Sequence, residues 1–504
     1  MTSALAAAVE RPADRERVRY DCEYLVVGTG AGGSVAGARL AEAGRDVIFL
    51  EEGAYHPTGS FVPEVGTMTA RLYRNRGVIP ILGRPTLAFG EACCVGGGTV
   101  INGGLIWRTP PWVLEQWRAQ AGLVGYGPEQ LARQFETVER DLHVVTTQLE
   151  ADANRDSARL HAAAGELGWK SVLVPRAVKG CINENCCPTG CIAGAKQSSV
   201  QTYLPRAAAR GARILTGCRA VRIVHSGGVA SRVVAEVGDG PTRRRVEIRC
   251  ERLVLAAGAV QTPHLLRRSR LSKRAGRSLQ FHMNLKIVAL FDEPLDAARG
   301  TIFTTQVQEF EREGLVMAAS NLRPHYLALT LAHQPNATID RVLGDFRRAG
   351  GFVALLQAAS RARIESRLGD QPLLHYRLAR GDAAAIVRAL ERLGRLLFRA
   401  GAVELYLPVA GSPAVRSQPE LDGLLAAARP GRFEIQTVHV MASCPMGSDP
   451  ARSLVSPAGR LWEARNVFVS DASMLPSNIG ESPQGTIMAF AHEIWDRHLA
   501  EAPQ

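Results

Sequence analysis

The run EYLVVGTGAGGSVAGARLAEAGRDVIFLEEG (residues 23–53) constrains the fold more than any other part of the chain. EYLVV is short, apolar and rich in β-branched residues, which reads as a buried parallel strand. SVAGARLAEAG carries small residues and closes on Gly44, which suits a helix packed tightly on a sheet. DVIFLEEG is the next strand, so the segment is a βαβ unit. Gly28, Gly30 and Gly33 stand in G-x-G-x-x-G spacing between the first strand and the helix. The first glycine permits the turn, the second lets backbone approach a pyrophosphate, and the third lets helix and strand pack closely. The helix N-terminus then offers unpaired N–H groups to phosphates. Glu51, 18 residues after Gly33, ends the second strand, where an acid can hydrogen-bond ribose hydroxyls; Glu52 is the neighbouring alternative. A merely structural glycine turn would not need strand, helix and acid in this order.

The chain of 504 residues exceeds a single core, so two intertwined domains are expected. Residues 54–130 are proline-punctuated loops of the kind that carries function. Helices are expected near Pro128–Val138 and Asp156–Leu167, and a return to sheet in ARILTG, AVRIVH, SRVVAEV and RVEIRCERLVLAAG. IFTTQVQEF and HYLALTLA read as strands, and AAAIVRALERLGRLLFRAG as an amphipathic helix ending at Gly401. The expected class is α/β (α+β): a Rossmann-like nucleotide-binding domain over 20–290, a discontinuous, sheet-containing substrate domain over 291–430, and a return to the first domain over 431–500.

Composition narrows the function classes. The formal charge of +12 is largely diffuse, with one cluster of Arg267, Arg268, Arg270, Lys273, Arg274 and Arg277. No nucleic-acid motif accompanies it, so a solvated basic turn is favoured over an acidic partner. No apolar run approaches a membrane span. The start shows no signal-peptide pattern, and ten cysteines suit reduced thiols, so a cytoplasmic location is expected.

Three later blocks carry chemistry. GEACCVGGGTVINGG (Gly90–Gly104) is a second glycine loop, with Gly97, Thr99 and Asn102 suited to close approach to a flat ring. LVLAAGAVQTPHLL (Leu253–Leu266) is a buried strand followed by a turn. The block from His439 to Ala491 sets a histidine in a small-residue loop, then a strand, a polar turn at Asp471 and Ser473, and a helix. Histidine suits proton transfer, since its unperturbed pKa of about 6.5 lies near working pH.

These blocks, in this order, resemble the glucose–methanol–choline oxidoreductase family. The middle section, HYRLARGDAAAIVRALERLGRLLFRAGA, further resembles its long-chain alcohol oxidase branch. The resemblance implies FAD and oxidation of an alcohol CH–OH group, with an apolar or sterol-like substrate guessed from the branch. In some members a histidine in the second glycine loop links the flavin; Ile101 stands there in this chain. The resemblance places Asn102 near the isoalloxazine and Asp471 near the ribityl or phosphate end, with Val221 and Ala257 completing the cofactor set. His439 matches the catalytic histidine and is expected to be the base. Ser482 stands where the family has histidine or asparagine. Either it works with a water, or Asn478 or Glu481 supplies the contact, or the reaction is another one hosted by the fold, such as a lyase; capping of the last helix is the plainer role.

CINENCCPTGC spaces Cys181, Cys187 and Cys191 like the loop of family members that carry an iron–sulfur cluster and pass electrons to a cytochrome. Thiolates suit such clusters, but the spacing fits reduced or structural cysteines as well, and no metal ligand is assigned. The expected partner is a small-molecule alcohol. Oxygen, a quinone or a cytochrome remain open as electron acceptor.

Overall fold

The computed structural model describes residues 2–12, 19–147, 154–238, 243–320, 323–366 and 370–501. The first half of the fold uses β1 (Arg19–Val27), α1 (Ala31–Glu42), β2 (Val47–Leu50), β3 (Arg213–Leu215), β4 (Cys218–Ser226), β5 (Val229–Val237), β6 (Arg244–Leu255) and α2 (Gly258–Arg268). The second uses β7 (Gln280–Phe291), β8 (Thr305–Val307), β9 (Leu315–Ala319), β10 (Ala349–Gln357), α3 (Arg380–Arg399), β11 (Ile435–Thr437), β12 (Val467–Val469) and α4 (Gln484–Glu501).

Among the described residues the first sheet has eight strands, with β3, β2, β1, β6, β5 and β4 in that order and β12 also on β6. β1 is parallel to β2 on one side and to β6 on the other. The order therefore switches direction beside β1, and the carboxyl ends of such strands open a crevice for a ligand. β2 is buried along its whole length, as a parallel strand covered on both faces must be. β6 divides its partners: residues 244–249 pair antiparallel with β5, and residues 253–255 pair parallel with β12.

α1 packs closely because its inner face is glycine. A Cβ on Gly33 would stand 2.2 Å from the Gly28 carbonyl oxygen, and one on Gly32 would stand 2.0 Å from the Ser470 carbonyl oxygen. The helix thus touches the first turn and the end of β12 through backbone alone.

The second sheet is built around β7, which is buried at eleven of its twelve residues. β7 pairs antiparallel with β10 from His282↔Gln357 to Leu290↔Ala349. β10 continues to β9 and β8, while β11 lies on the other side of β7. Alternation sends Phe281, Met283, Leu285 and Ile287 into a core shared with Ile386, Leu390, Leu393 and Leu397 of α3. His282, Asn284 and Lys286 take the opposite face.

The expected helices and strands are present, with some differences. The turn expected after Leu253–Ala257 is helix α2, with Pro263 inside it, and the stretch 54–130 read as loops holds helices Val65–Leu72 and Pro111–Ala121. HYLALTLA lies in a helix, Pro324–Thr330, rather than a strand. Pro324 opens its first turn, and the buried Leu327, Thr330 and Leu331 follow helical spacing. Sheet membership also divides the chain more finely than cuts at 290 and 430: residues 79–82, 87–89, 280–291, 435–437 and 440–441 all join the second sheet. No helix among the described residues is long and apolar enough to cross a membrane.

Gly32→Ala should lower stability by about 1–3 kcal/mol, the usual cost of overpacking, because its methyl would meet the Ser470 carbonyl. Denaturant unfolding of the flavin-free protein measures this.

Candidate active site

A cavity of about 720 Å³ runs from the crevice beside β1 to the free face of the second sheet. At the crevice end it is lined by Gly28, Gly30, Gly97, Thr99 and Ala257. A Cβ on Gly30, Gly98 or Gly258 would meet no protein atom within 4 Å, so these glycines border open space that a ligand can occupy. Gly30 is also the N-cap of the twelve-residue α1, whose first N–H groups have no helical partner. Gly33 stands behind this cradle, packing helix on strand.

Glu51 closes the crevice at the end of β2. Its Oε2 accepts from the Thr29 amide (3.1 Å) and hydroxyl (2.6 Å), and its Oε1 from the Gly53 amide (2.9 Å). Burial raises this carboxyl, and the three donors oppose the rise. Thr29 Oγ1 also accepts from the Gly96 amide, which ties the two glycine loops together. Glu52, the alternative acid, is gripped by both terminal nitrogens of Arg74. Thr99 Oγ1 donates to Gly96 and accepts from Ser199, while Asn102 donates to Gln484 and accepts from the Gly104 amide. Asp471 accepts from the Gly258 amide (2.9 Å), the Thr262 hydroxyl (2.6 Å) and the Ser473 amide (2.8 Å). Val221 does not line the cavity; a bulge between Ala220 and Arg222 sets it apart, and Cys218, Arg219 and Ala220 face the space instead.

At the other end stands His439. Its Nδ1 lies 3.2 Å from Nδ1 of the fully buried His282, whose Nε2 accepts from the Gly480 amide at 3.0 Å. His439 keeps some accessible surface, and that surface faces the cavity. Burial lowers both imidazoles, His439 to about 4. Ser482 and Glu481 also line this end. Glu481 Oε1 accepts from Gln306 (2.6 Å) and Gln308 (3.3 Å), and burial raises its carboxyl to about 8 despite these donors. Asn478 is committed elsewhere: its amide donates to the Phe281 and Ala358 carbonyls and accepts from Gln357. Ser482 stands one residue ahead of Pro483, whose carbonyl accepts the first bond of α4, so it is displaced from the capping position.

The cysteine loop is held by separate partners. Cys187 Sγ accepts from Arg176, Cys191 Sγ from the Lys196 amide, and Cys181 meets Thr301. No group of three His, Cys, Asp or Glu side chains placed to hold a metal occurs among the described residues. In the basic cluster, Arg267, Arg268 and Arg274 pair with Glu365, Asp370 and Glu463.

Two family models described as GMC oxidoreductase match residues 22–284 and 357–491. The chain belongs to the GMC oxidoreductase family. Within it, an "uncharacterized GMC-type oxidoreductase Rv0492c" of Mycobacterium tuberculosis (strain ATCC 25618 / H37Rv) is 35% identical over 95% of this chain and 76% of that protein. Long-chain-alcohol oxidase FAO3 of Arabidopsis thaliana is 26% identical over 96% of this chain and 68% of its own. Pyridoxine 4-oxidase from Mesorbium loti has a similar fold, with a TM-score of 0.73 at 18% identity over 96% of this chain and all of that one. The cofactor of this GMC oxidoreductase is FAD, and the glycine cradle with the α1 N-terminus fits such a group.

His282, Asn284 and Lys286 escaped the sequence reading. Their signal is a polar residue at every second position of QFHMNLKIVALF, which otherwise looks like a core strand. Asp471→Ala should strand three donors, each costing about 1–3 kcal/mol if left buried and unpaired. Flavin content after gel filtration and the unfolding midpoint should both fall.

Proposed function

We propose that this oxidoreductase converts the CH–OH group of an alcohol to a carbonyl, with His439 holding the substrate oxygen and Glu481 taking its proton. Bound FAD would supply the hydride acceptor. The observation that carries this reading is the His282–His439 pair, which opens on the same cavity as the glycine cradle.

The hydrogen-bond pattern supports one set of tautomers. His282 Nε2 accepts from Gly480, so its proton sits on Nδ1 and is donated to His439 Nδ1. Neutral His439 then presents Nε2–H to the cavity. A donor there binds the alcohol oxygen and stabilises the negative charge that builds on it. This reading gives His439 a donor's role in place of the base role expected from the sequence, because a ring protonated at Nε2 and lowered to about 4 is a weak proton acceptor. Glu481, raised to about 8, is closer to working pH and lines the same space. Ser482 beside it is short and leaves room for the substrate. Val316, Ala318, Val353 and Leu355 give the cavity an apolar wall, which suits an apolar substrate body, and the likeness to a long-chain-alcohol oxidase supports an alcohol.

The test is anaerobic flavin reduction by a panel of primary alcohols across pH. A base works unprotonated, so the rate should rise with pH and level off above its pKa. A break near 8 that disappears in Glu481→Gln is expected; a break near 4 would return the base role to His439. His439→Ala should slow reduction by about 10²–10³-fold, the cost of one lost charge-stabilising donor, and His439→Asn, which keeps a donor, by less. Failure of every alcohol to reduce the flavin overturns the proposal.

A further inference from the structure

Lys286 is a cation of the second sheet that faces the cavity and that the proposed reaction leaves unused. It lies at the middle of β7, between Leu285 and Ile287, which face the core with no exposed surface, and its own side chain lines the cavity. Among the described residues it has no hydrogen bond and no ion pair. Burial alone acts on the ammonium and lowers it to about 8, with no carboxylate pulling it back up. It therefore remains largely protonated at neutral pH, partly buried against the cavity and without a partner.

The strand register shows what surrounds it. Lys286 pairs with Val353, Val353 with Ala318, and Ala318 with Gln306, so these four residues form one row across the sheet. Asn284, Leu355 and Val316 form the next row. The face is thus polar at the β7 edge and at the β8 edge, with an apolar strip between them. Glu481 is bound by Gln306 and Gln308, and it is not among the groups acting on Lys286. Asn284 Oδ1, two residues along on the same face, is also buried without a partner. From His282, which holds His439, to Lys286 is four residues, about 13 Å along the strand.

Given alcohol oxidation at the His439 end, we propose that Lys286 anchors an anionic group of the substrate. The substrate is then an alcohol with a carboxylate or phosphate at its far end and an apolar stretch between. An unpaired ammonium set beside an apolar strip, at a fixed distance from the reacting end, is what such a molecule would complement.

The experiment uses the flavin-loaded enzyme and chain-matched probes: octanoate, octyl phosphate and octanol for binding, followed through the flavin absorbance, and ω-hydroxyoctanoate, ω-hydroxyoctyl phosphate and octanol for anaerobic reduction. At least one anionic probe should bind about tenfold or more tightly than octanol, the scale of one charge-assisted hydrogen bond. The carboxylate and phosphate arms show which anion is preferred. Lys286→Met should collapse the preference and Lys286→Arg should keep it; flavin content reports on folding in each variant. Equal binding of anionic and neutral probes by the unmodified enzyme overturns the proposal, as does a preference that survives Lys286→Met. Lys286-dependent octanoate binding without reduction by any hydroxylated probe supports the anion site and overturns the alcohol reading alone.

Discussion

Helix α1 is pressed against two pieces of backbone with no side chain between, and the rest of the site is arranged around that contact. Gly33 lies over the carbonyl of Gly28 and Gly32 over the carbonyl of Ser470. The first approach shapes the turn that faces the cofactor. The second brings the end of β12 to the same place, and with it Asp471, which orders the first turn of α2 through Gly258 and Thr262. A helix with larger residues on this face would stand off the sheet, and the crevice beside β1 would lose one wall.

The cofactor end was legible in the sequence because its logic is local. Glycine spacing, a preceding apolar strand and an acid after the next strand all fall within a single βαβ unit. The histidine end was legible only in part. His439 stood out in its small-residue loop, yet its partner His282 is 157 residues away and sits in a strand that reads as core. Nothing in the sequence around His439 shows that its partner His282 in turn accepts from the Gly480 amide. HYLALTLA was misread for a different reason: a short apolar run fits strand and helix alike, and burial of Leu327, Thr330 and Leu331 settled it.

Two carboxylates that line the cavity also show how context changes a residue. Glu51 and Glu481 are both buried, and both accept hydrogen bonds from neighbours. Glu51 receives three donors and serves to knit the loops. Glu481 receives two side-chain amides from β8 and its flank and the Ser482 amide beside it, yet burial still raises it to about 8. Such differences lie beyond sequence spacing because the donors arrive from distant strands.

The alternation along β7 has a consequence for assembly fidelity. One side of the strand is cavity chemistry and the other is hydrocarbon packed on α3. A slip of one residue against β10 would drive an imidazole, an amide and an ammonium into that hydrocarbon, while exposing Phe281 and Met283 to the cavity. The polar stripe therefore acts as a ruler for strand pairing: the residues that equip the site also penalise every misaligned version of the sheet that carries it.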